Sequence, residues 1–401
     1  MKLDGFKLAN KTALISTLYT QAHGGVFAKL RFLVQLLLKM GFRVQIAYYM
    51  PYSIEPELSV PFQKLFRKNP GCRHFIGELG VEEYAIGAFL PELEFLNYFS
   101  NTHWRKLINA ADLYFVVSGH ILSATPFYFQ KKNYLSWIAT LYDEDRCERI
   151  KTFPWYRKCL DNLLISKVSR YLEKTMLRKN PAFTVSFFSY RQLNQHGQFS
   201  RNVIPVPVDT TIFFPKKGNV QPGLICFTAR FLDPRKNINF LFEALALALK
   251  KIPYAMLCLI GDVITPAITK KLLQLDIASH VQVFNYIPSG ELIEMLQKTD
   301  VFVIPSSQEG LCVSGLEAMA CGCPVVSTKC GGPMDYVKEG ENGYLVDFNP
   351  IEFANKIVSI CENRTLREKL SLGALHQIQE NYSEEGVKRK WISAINQELP
   401  S

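Results

Sequence analysis

The sequence predicts two doubly wound, Rossmann-like α/β domains that face a central cleft. The chain has 401 residues, which is more than a single hydrophobic core usually serves. Short apolar runs alternate with helix-length segments through both halves, the pattern of successive βαβ units. Apolar residues make up 48% of the chain and charged residues 20%, so extended disordered regions are not expected.

The first half opens with a predicted βαβ unit. An apolar strand over 12–18 leads through Gly24 and Gly25 into an amphipathic helix over 26–40, and a second apolar run follows over 44–48. Glycines at such a turn let the backbone approach a phosphate at the helix N-terminus, although they also occur there for steric reasons alone. Gly24 and Gly25 are therefore predicted contacts of a phosphate-bearing ligand.

The predicted first domain covers residues 1–215 and the second covers 216–382. A final helix over about 383–398 is expected to pack back onto the first domain. Further strands are predicted in the first half over 113–117, 137–141 and 183–188, and a linker over 215–219. The strands predicted in the second half cover 224–229, 254–260, 281–284, 301–304 and 324–327. In such sheets, ligands bind at the carboxyl ends of the strands.

The positive charge of the chain is concentrated in its first half. Residues 1–219 contain 29 Lys and Arg against 16 Asp and Glu, and the remainder contains 17 against 20. This balance favours an anionic partner, such as a membrane face or a phosphate-bearing acceptor. The absence of a nucleic-acid recognition motif argues against nucleic acid. Because the start of the chain is polar and no apolar run approaches the ~20 residues of a spanning helix, the sequence predicts a cytoplasmic protein, with a peripheral position at the inner membrane face as the alternative.

Two glutamates in the second half are spaced to frame the start of a helix. Glu309 follows the predicted strand over 301–304, and Glu317 lies inside a helix predicted to begin near Ser314. Helix and loop N–H groups can hold a phosphate, while each carboxylate accepts hydrogen bonds from sugar hydroxyls. The residues between strand and helix that complete this predicted donor site are Gly310, Leu311, Cys312 and Val313.

Two cations occur at the end of the first strand of the second half. Arg230 ends that strand, and Lys236 follows six residues later, just before a helix. Two positive side chains at a strand end can neutralise a diphosphate, which is the task that a metal ion performs elsewhere.

The spacing of Glu309 and Glu317, together with that of Arg230 and Lys236, resembles the donor-binding signature of retaining glycosyltransferase family 4 (group 1). The resemblance implies a GT-B fold and an enzyme that moves a hexosyl group from a UDP- or GDP-sugar, without metal or cofactor. It further implies that Glu309 contacts the transferred sugar, that Glu317 contacts the ribose, and that Arg230 and Lys236 bind the phosphates. Aromatic and basic richness over 114–178 suggests a glycan or lipid-linked acceptor, as in cell-surface polysaccharide or glycolipid biosynthesis.

The first half departs from this family at one position. A histidine that usually follows a mid-domain strand is replaced by Tyr142, and His120, after the preceding strand, is the nearest alternative sugar contact. Asp143 and Asp145 form a D-x-D pattern that binds metal in other glycosyltransferases. Because Arg230 and Lys236 already serve the diphosphate, these aspartates, with Arg146, are predicted to line the acceptor side instead.

Two alternative functions are compatible with the same motifs. One is a nucleotide-sugar isomerase resembling the 2-epimerases of GT-B fold, which would act on the donor alone. The other is a non-catalytic nucleotide-sugar-binding relative, suggested by the replacement at Tyr142.

Overall fold

The computed structural model describes residues 11–19, 24–65, 68–151, 154–195, 197–216, 218, 220–285 and 287–398, with the backbone alone described at residues 145, 147–149, 151, 156 and 398. The chain forms two compact units. The first runs to Pro205 and includes the chain from Trp391 onward, and the second is Val206–Lys390.

The first unit is built on a sheet that is parallel except at one edge. Among the described residues its strands are β1 Thr12–Leu18, β2 Arg43–Tyr49, β3 Cys72–Ile76, β4 Glu82–Ile86, β5 Leu113–Ser118, β6 Leu135–Ile138, β7 Ala182–Thr184 and β8 Ser200–Val203. Their order is β3-β4-β2-β1-β5-β6-β7-β8, and β3 is antiparallel to β4. The interior of β1 is fully buried, as expected for a strand with helices on both faces.

The helices of the first unit connect these parallel strands. They are α1 Gly24–Lys39, α2 Thr102–Ala110, α3 Thr125–Phe129, α4 Tyr142–Lys151, α5 Trp155–Leu160, α6 Ser166–Lys179 and α7 Phe187–Gln195, with a π-helical turn, Asp161–Ile165, between α5 and α6. In the described ranges, no helix is both long enough and apolar enough to cross a membrane.

The second unit contains an all-parallel sheet. Its described strands are β9 Leu224–Ala229, β10 Met256–Gly261, β11 Val281–Asn285, β12 Val301–Ile304, β13 Val325–Thr328 and β14 Gly343–Val346, in the order β11-β10-β9-β12-β13-β14. Its helices are α8 Ile238–Leu249, α9 Pro266–Gln274, α10 Ser289–Lys298, α11 Val313–Ala320, α12 Pro333–Tyr336, α13 Pro350–Glu362 and α14 Arg364–Gln377, and α15 Glu384–Glu398 crosses into the first unit.

The strand order reverses once in each unit. Successive strands in the second unit build outward from β9 in one direction and from β12 in the other, so the connections that leave the carboxyl ends of these adjacent strands diverge. The same reversal occurs between β1 and β5 in the first unit. Doubly wound sheets bind ligands at such points.

The division between the units lies ten residues before the predicted boundary at residue 215. The Val208 N–H donates to the Tyr382 carbonyl at 2.9 Å, which ties this segment to the second unit. The last helix places Trp391 in the first unit, where its ring packs against Trp137 and Phe183 with centroids 5.2 and 5.6 Å away. The buried Trp391 side chain therefore holds the end of the chain in the first unit.

Two strands of the first half were predicted too long. The run predicted over 137–141 is strand only to Ile138, where β6 ends. The apolar run over 183–188 is strand only to Thr184, and Phe187 already begins α7. The hydroxyl of Ser186 accepts a hydrogen bond from the Ser189 N–H at 3.0 Å, which caps the new helix and ends the strand. The antiparallel β3–β4 pair has no counterpart in the prediction, because its side chains are mostly half-buried or exposed and give no long apolar run.

Candidate functional site

The loop that follows β12 is fixed by backbone hydrogen bonds. The Glu309 N–H donates to the Cys330 carbonyl at 2.7 Å, and the Gly332 N–H donates to the Glu309 carbonyl at 2.8 Å. This loop is therefore held against the segment that follows β13. These two bonds give the backbone of Glu309 a defined position at the carboxyl end of the sheet.

The side chains of Lys236 and Glu309 form an ion pair beyond the carboxyl ends of β9 and β12. Lys236 Nζ lies 2.6 Å from Glu309 Oε1, and Ser306 Oγ donates to the same oxygen at 2.6 Å. Burial favours the neutral amine, but the Glu309 carboxylate outweighs this and raises the pKa of Lys236 above its ordinary value. The lysine is therefore a permanent positive charge at this point, and the serine fixes the carboxylate to which it is bound.

Arg230 extends into solvent at the end of β9. Its side chain is 76% exposed, and its nearest carboxylate oxygen, on Asp233, is 3.7 Å from Nη2. Arg235 is more firmly held, since its Nη2 lies 2.7 Å from Asp233 Oδ2 and its Nε donates to Oδ1 at 3.0 Å. Of the two arginines, Arg230 is the one with the freedom to meet an anionic ligand.

Sequence reasoning did not identify Asp233 and Arg235. Asp233 caps the short 3-10 turn Pro234–Lys236 by accepting from the Arg235 N–H at 3.1 Å, and Asn237 then adopts a left-handed conformation. Burial would raise the pKa of Asp233, but its bonds to Arg235 outweigh this and lower it. This arrangement fixes the backbone that carries Lys236. The aspartate before a proline, typical of a capped turn, was the available signal.

Glu317 lies within α11, on the other side of the helix start from Glu309. Cys312 precedes the helix in a left-handed conformation, with φ 63°, and the Tyr336 hydroxyl donates to its carbonyl at 3.1 Å. A Cβ on Gly315 would lie 2.3 Å from that hydroxyl oxygen, so only glycine allows this packing. The first N–H groups of an α-helix lack intrahelical acceptors and favour anions.

The candidate residues of the first unit follow β1 and β5, the adjacent strands at which its connections diverge. Gly24 begins α1 with φ +86°, a value that glycine adopts without strain. Residues 20–23, which include the rest of the predicted glycine turn before Gly24, lie outside the described residues. His120 follows β5 and caps a 3-10 turn, where its Nδ1 accepts from the Leu122 N–H at 3.4 Å.

Tyr142 is part of the core rather than of a surface. Its side chain is only 2% exposed, and its ring lies edge-on to His120 with centroids 5.5 Å apart. Contact between Tyr142 and a ligand would require the ring to leave the core, whereas His120 is partly exposed. Asp143 lies on the same helix and pairs with Arg170 at 2.7 Å. The side chain of Asp145 lies outside the described residues.

The expectation that Arg146 lines the acceptor side is wrong. Its guanidinium is buried and bonds to Glu94 and Asp161, the second of which also accepts from Ser166 Oγ at 2.7 Å. Arg146 was grouped with Asp143 and Asp145 because it follows them in the sequence and because arginine is seldom fully buried unless it is paired. Paired in this way, Arg146 anchors α4 to the π-helical turn.

Glu173 is a second buried ionisable side chain that supports the same region. It accepts a hydrogen bond from the Tyr142 N–H at 2.9 Å, which holds the start of α4. Burial raises the pKa of Glu173 to about 8. The carboxyl group is therefore largely protonated at neutral pH in the folded protein, although it is ionised in the unfolded chain.

This shift predicts that stability falls as the pH rises. A raised carboxyl pKa gives stability that is complete below the unfolded value and is lost as pH rises through the folded value, here from about 4.5 to about 8. We expect the unfolding free energy of Glu173→Gln, relative to wild type, to increase across this window by up to about 1.4 kcal/mol per pH unit. Urea titrations of the variant and the wild type at pH 5 and 7.5 measure this difference in unfolding free energy. The same difference at both pH values would contradict the raised pKa of Glu173. The exposed Glu294 provides the control variant, Glu294→Gln, for which the difference should not change with pH.

Within the described residues, no three His, Cys, Asp or Glu side chains come together as a possible metal-binding group.

The second unit matches a known protein family, and the chain superimposes on solved structures over almost its full length. Residues 209–376 match the family model described as glycosyl transferases group 1. Among solved structures, sucrose-phosphate synthase from Thermosynechococcus elongatus superimposes with a TM-score of 0.72 at 18% identity, over 97% of this chain and 98% of that one. Anabaena HepE in complex with UDP superimposes with a TM-score of 0.71 at 14% identity, over 96% and 100%.

The fold is GT-B. This confirms the fold class predicted from the sequence. The family match covers the second unit of the GT-B chain almost entirely and includes the Lys236–Glu309 pair and α11.

Two curated relatives match part of the GT-B chain. A probable sucrose-phosphate synthase of Thermosipho melanesiensis is 29% identical over 208 residues, which is 49% of this chain and 47% of the relative. The lipopolysaccharide core biosynthesis glycosyltransferase LpsE of Rhizobium meliloti is 32% identical over 168 residues, 41% of this chain and 47% of the relative. The chain thus spans about half the length of these relatives. Over residues 209–376 the chain is similar to glycosyl transferases of group 1.

Proposed function

We propose that this protein is a retaining, metal-independent hexosyltransferase that moves a sugar from a UDP- or GDP-sugar to a glycan or lipid-linked acceptor. The observation that carries the proposal is the Lys236–Glu309 ion pair, held where the connections of β9 and β12 diverge and beside the start of α11. A nucleotide sugar offers a diphosphate to the cation and the helix N–H groups. Its sugar hydroxyls can donate to a carboxylate.

The proposed mechanism stabilises the leaving group. As the bond between sugar and diphosphate breaks, negative charge accumulates on the diphosphate, and fixed positive charge lowers the energy of that state. Lys236 supplies such charge from a fixed position, and exposed Arg230 can fold onto the phosphate. The acceptor hydroxyl attacks from the face that the diphosphate leaves and passes its proton to a phosphate oxygen, so configuration is retained and no side chain acts as nucleophile.

The carboxylates of Glu309 and Glu317 contact different parts of the donor in this proposal. Glu309, bound by Lys236 and Ser306, contacts the transferred sugar, and Glu317 contacts the ribose. The N–H groups of Gly310, Leu311, Cys312 and Val313 serve the phosphates. In this arrangement each negative side chain accepts hydrogen bonds from hydroxyl groups, and the positive side chains bind the diphosphate.

In the first unit we assign the sugar contact to His120 and not to Tyr142. The imidazole is partly exposed at the end of β5, whereas the phenol is buried. Gly24 and Gly25 are proposed phosphate contacts, and Asp143 is proposed on the acceptor side. The buried ring of Tyr142 then packs edge-on against the His120 ring and holds it in position.

The names of two similar proteins support the choice of substrates. The HepE structure is a complex with UDP, which favours a uridine nucleotide as donor. LpsE is named for lipopolysaccharide core biosynthesis, which favours a surface glycan or glycolipid as acceptor. A role in cell-surface polysaccharide or glycolipid biosynthesis follows from these proposals.

A screen of nucleotide sugars tests the proposed function. We expect one donor among UDP-glucose, UDP-N-acetylglucosamine and GDP-mannose to stabilise the protein by about 2.7 kcal/mol at 100 times its Kd, and to be hydrolysed slowly without acceptor. Conversion of the donor to an isomeric nucleotide sugar would instead favour an epimerase. Tight binding without any turnover would favour a non-catalytic relative, and binding of none of them would contradict the proposal.

Metal independence predicts that chelation leaves activity intact. Hydrolysis of the identified donor should change by less than about twofold in excess EDTA, because Lys236 and Arg230 supply the charge that a metal ion would otherwise provide. Loss of activity with EDTA and its recovery with manganese would contradict this and would direct attention to Asp143 and Asp145.

A further inference from the structure

The surface of interest is a continuous helical segment, residues 155–179, made of α5, the π-helical turn and α6. The segment contains seven Lys and Arg but only two acidic residues. Both of these, Asp161 and Glu173, are buried. The outward face of the segment therefore carries cationic and apolar side chains without an exposed carboxylate of its own.

Large apolar side chains project from this segment into solvent. Trp155 is 78% exposed, Leu163 70% and Tyr171 71%, and Leu164 is exposed beside Leu163. The π-helical turn explains the adjacent leucines, because its wider turn buries Asp161 and Ile165 and leaves the residues between them outside. A buried ion pair holds this turn in place, so the exposure of the leucines is a fixed feature of the segment.

Cationic side chains continue the same face along α6. Lys167 and Lys174 are exposed, and the described part of the chain supplies neither with a carboxylate at salt-bridge distance. Arg178 and Lys179 follow at the end of the helix. Among the described cations of the segment, Arg170 pairs with Asp143 and Arg157 pairs with Glu94. An apolar patch that continues into unneutralised positive charge is complementary to an anionic surface with an apolar interior.

We propose that the outward face of residues 155–179 docks the protein on an anionic lipid bilayer. Leucine and aromatic side chains bury at the boundary between headgroups and acyl chains, while lysines bind the headgroup phosphates. A second copy of this chain is a poorer occupant, because pairing the face with itself would oppose positive charges. The role of the docking rests on the proposed function, since a lipid-linked acceptor lies in such a bilayer.

Sedimentation with vesicles tests the surface without any nucleotide sugar, so its outcome is separate from that of the transfer proposal. The full chain should bind vesicles that contain 30 mol% phosphatidylglycerol at about 0.1 M salt, should bind pure phosphatidylcholine far less, and should be released at high salt, where charges are screened. The double variant Lys167→Ala, Lys174→Ala should bind about 30-fold more weakly, from about 1 kcal/mol per lysine at 1.4 kcal/mol per tenfold.

The apolar contribution is tested with Leu163→Ser, which should also weaken vesicle binding at least about tenfold, since burying a leucine is worth at least ~1.5 kcal/mol. Matched controls lie on α9, where Lys270 and Leu273 are exposed. Lys270→Ala and Leu273→Ser should bind like wild type. The proposal is overturned if wild type does not bind anionic vesicles or if the segment variants bind as well as the controls. It is equally overturned if their only effect is the loss of self-association in light scattering.

Discussion

Lys236→Ala is expected to lower the kcat of sugar transfer by at least about 100-fold. The lysine supplies fixed positive charge to a diphosphate whose own charge grows only as the sugar departs, and loss of a transition-state contact worth ~3 kcal/mol has this effect. The substitution also leaves the carboxylate of Glu309 with Ser306 as its remaining described partner. Steady-state rates with the donor identified by screening measure the change, and kcat should fall more than KM rises.

A matched control separates this effect from loss of any surface ion pair. Lys271 forms a more exposed pair with Glu243 in the same unit, with Nζ 3.0 Å from Oε1. Lys271→Ala should leave kcat within about twofold of wild type, because exposed pairs contribute little. Glu309→Ala should match the loss in Lys236→Ala. Near-normal turnover in folded samples of both site variants would refute the proposed catalytic pair.

Gly332→Ala is expected to damage the site by steric displacement. A Cβ at this position would lie 2.3 Å from Leu311 Cα and 2.5 Å from the Gly310 carbonyl oxygen, distances at which the backbone must move. The φ of Gly332 is −48°, so the residue has no left-handed strain and the effect is purely one of packing. Displacement of this loop by about 1 Å should reduce kcat/KM on the order of 100-fold.

Gly290→Ala provides the control for this substitution. Gly290 lies in α10, and an added Cβ would meet no atom within 4 Å. Alanine there should preserve kcat/KM and stabilise the protein slightly, by about 0.5 kcal/mol, because it restricts the unfolded chain. If Gly332→Ala retains wild-type kcat/KM and unfolding temperature, the close packing of the two loops is not what positions Glu309.

The central strands could be predicted because burial on both faces leaves a clear signal. The run over 301–304 and that over 224–229 match β12 and β9 residue for residue. All four residues of β12 and the first four of β9 are buried and apolar. The β3–β4 edge could not be predicted, since its half-exposed side chains lack such a run. The strand predicted over 183–188 was too long because the Ser186 hydroxyl caps a helix inside this run. A single capping serine does not change the pattern of apolar residues from which the strand was predicted.

The candidate site also contains residues that could be predicted from the sequence and residues that could not. The spacing of Glu309 and Glu317 predicts one carboxylate in the loop and one in the helix, because the preceding strand and following helix fix both positions. Ser306 and Tyr336 could not be found, since their contacts join segments that are distant in sequence or depend on loop conformation. Arg146 was misplaced because sequence shows a charge but not the buried Asp161 that neutralises it.

A crystal structure of the protein soaked with UDP tests whether the donor diphosphate binds beside the Lys236–Glu309 pair. We expect the diphosphate within hydrogen-bond distance of Lys236 Nζ or the Arg230 guanidinium and of the first N–H groups of α11, with the ribose hydroxyls on Glu317. UDP bound elsewhere on the molecule, with Lys236, Arg230 and Glu317 all out of contact, would contradict it.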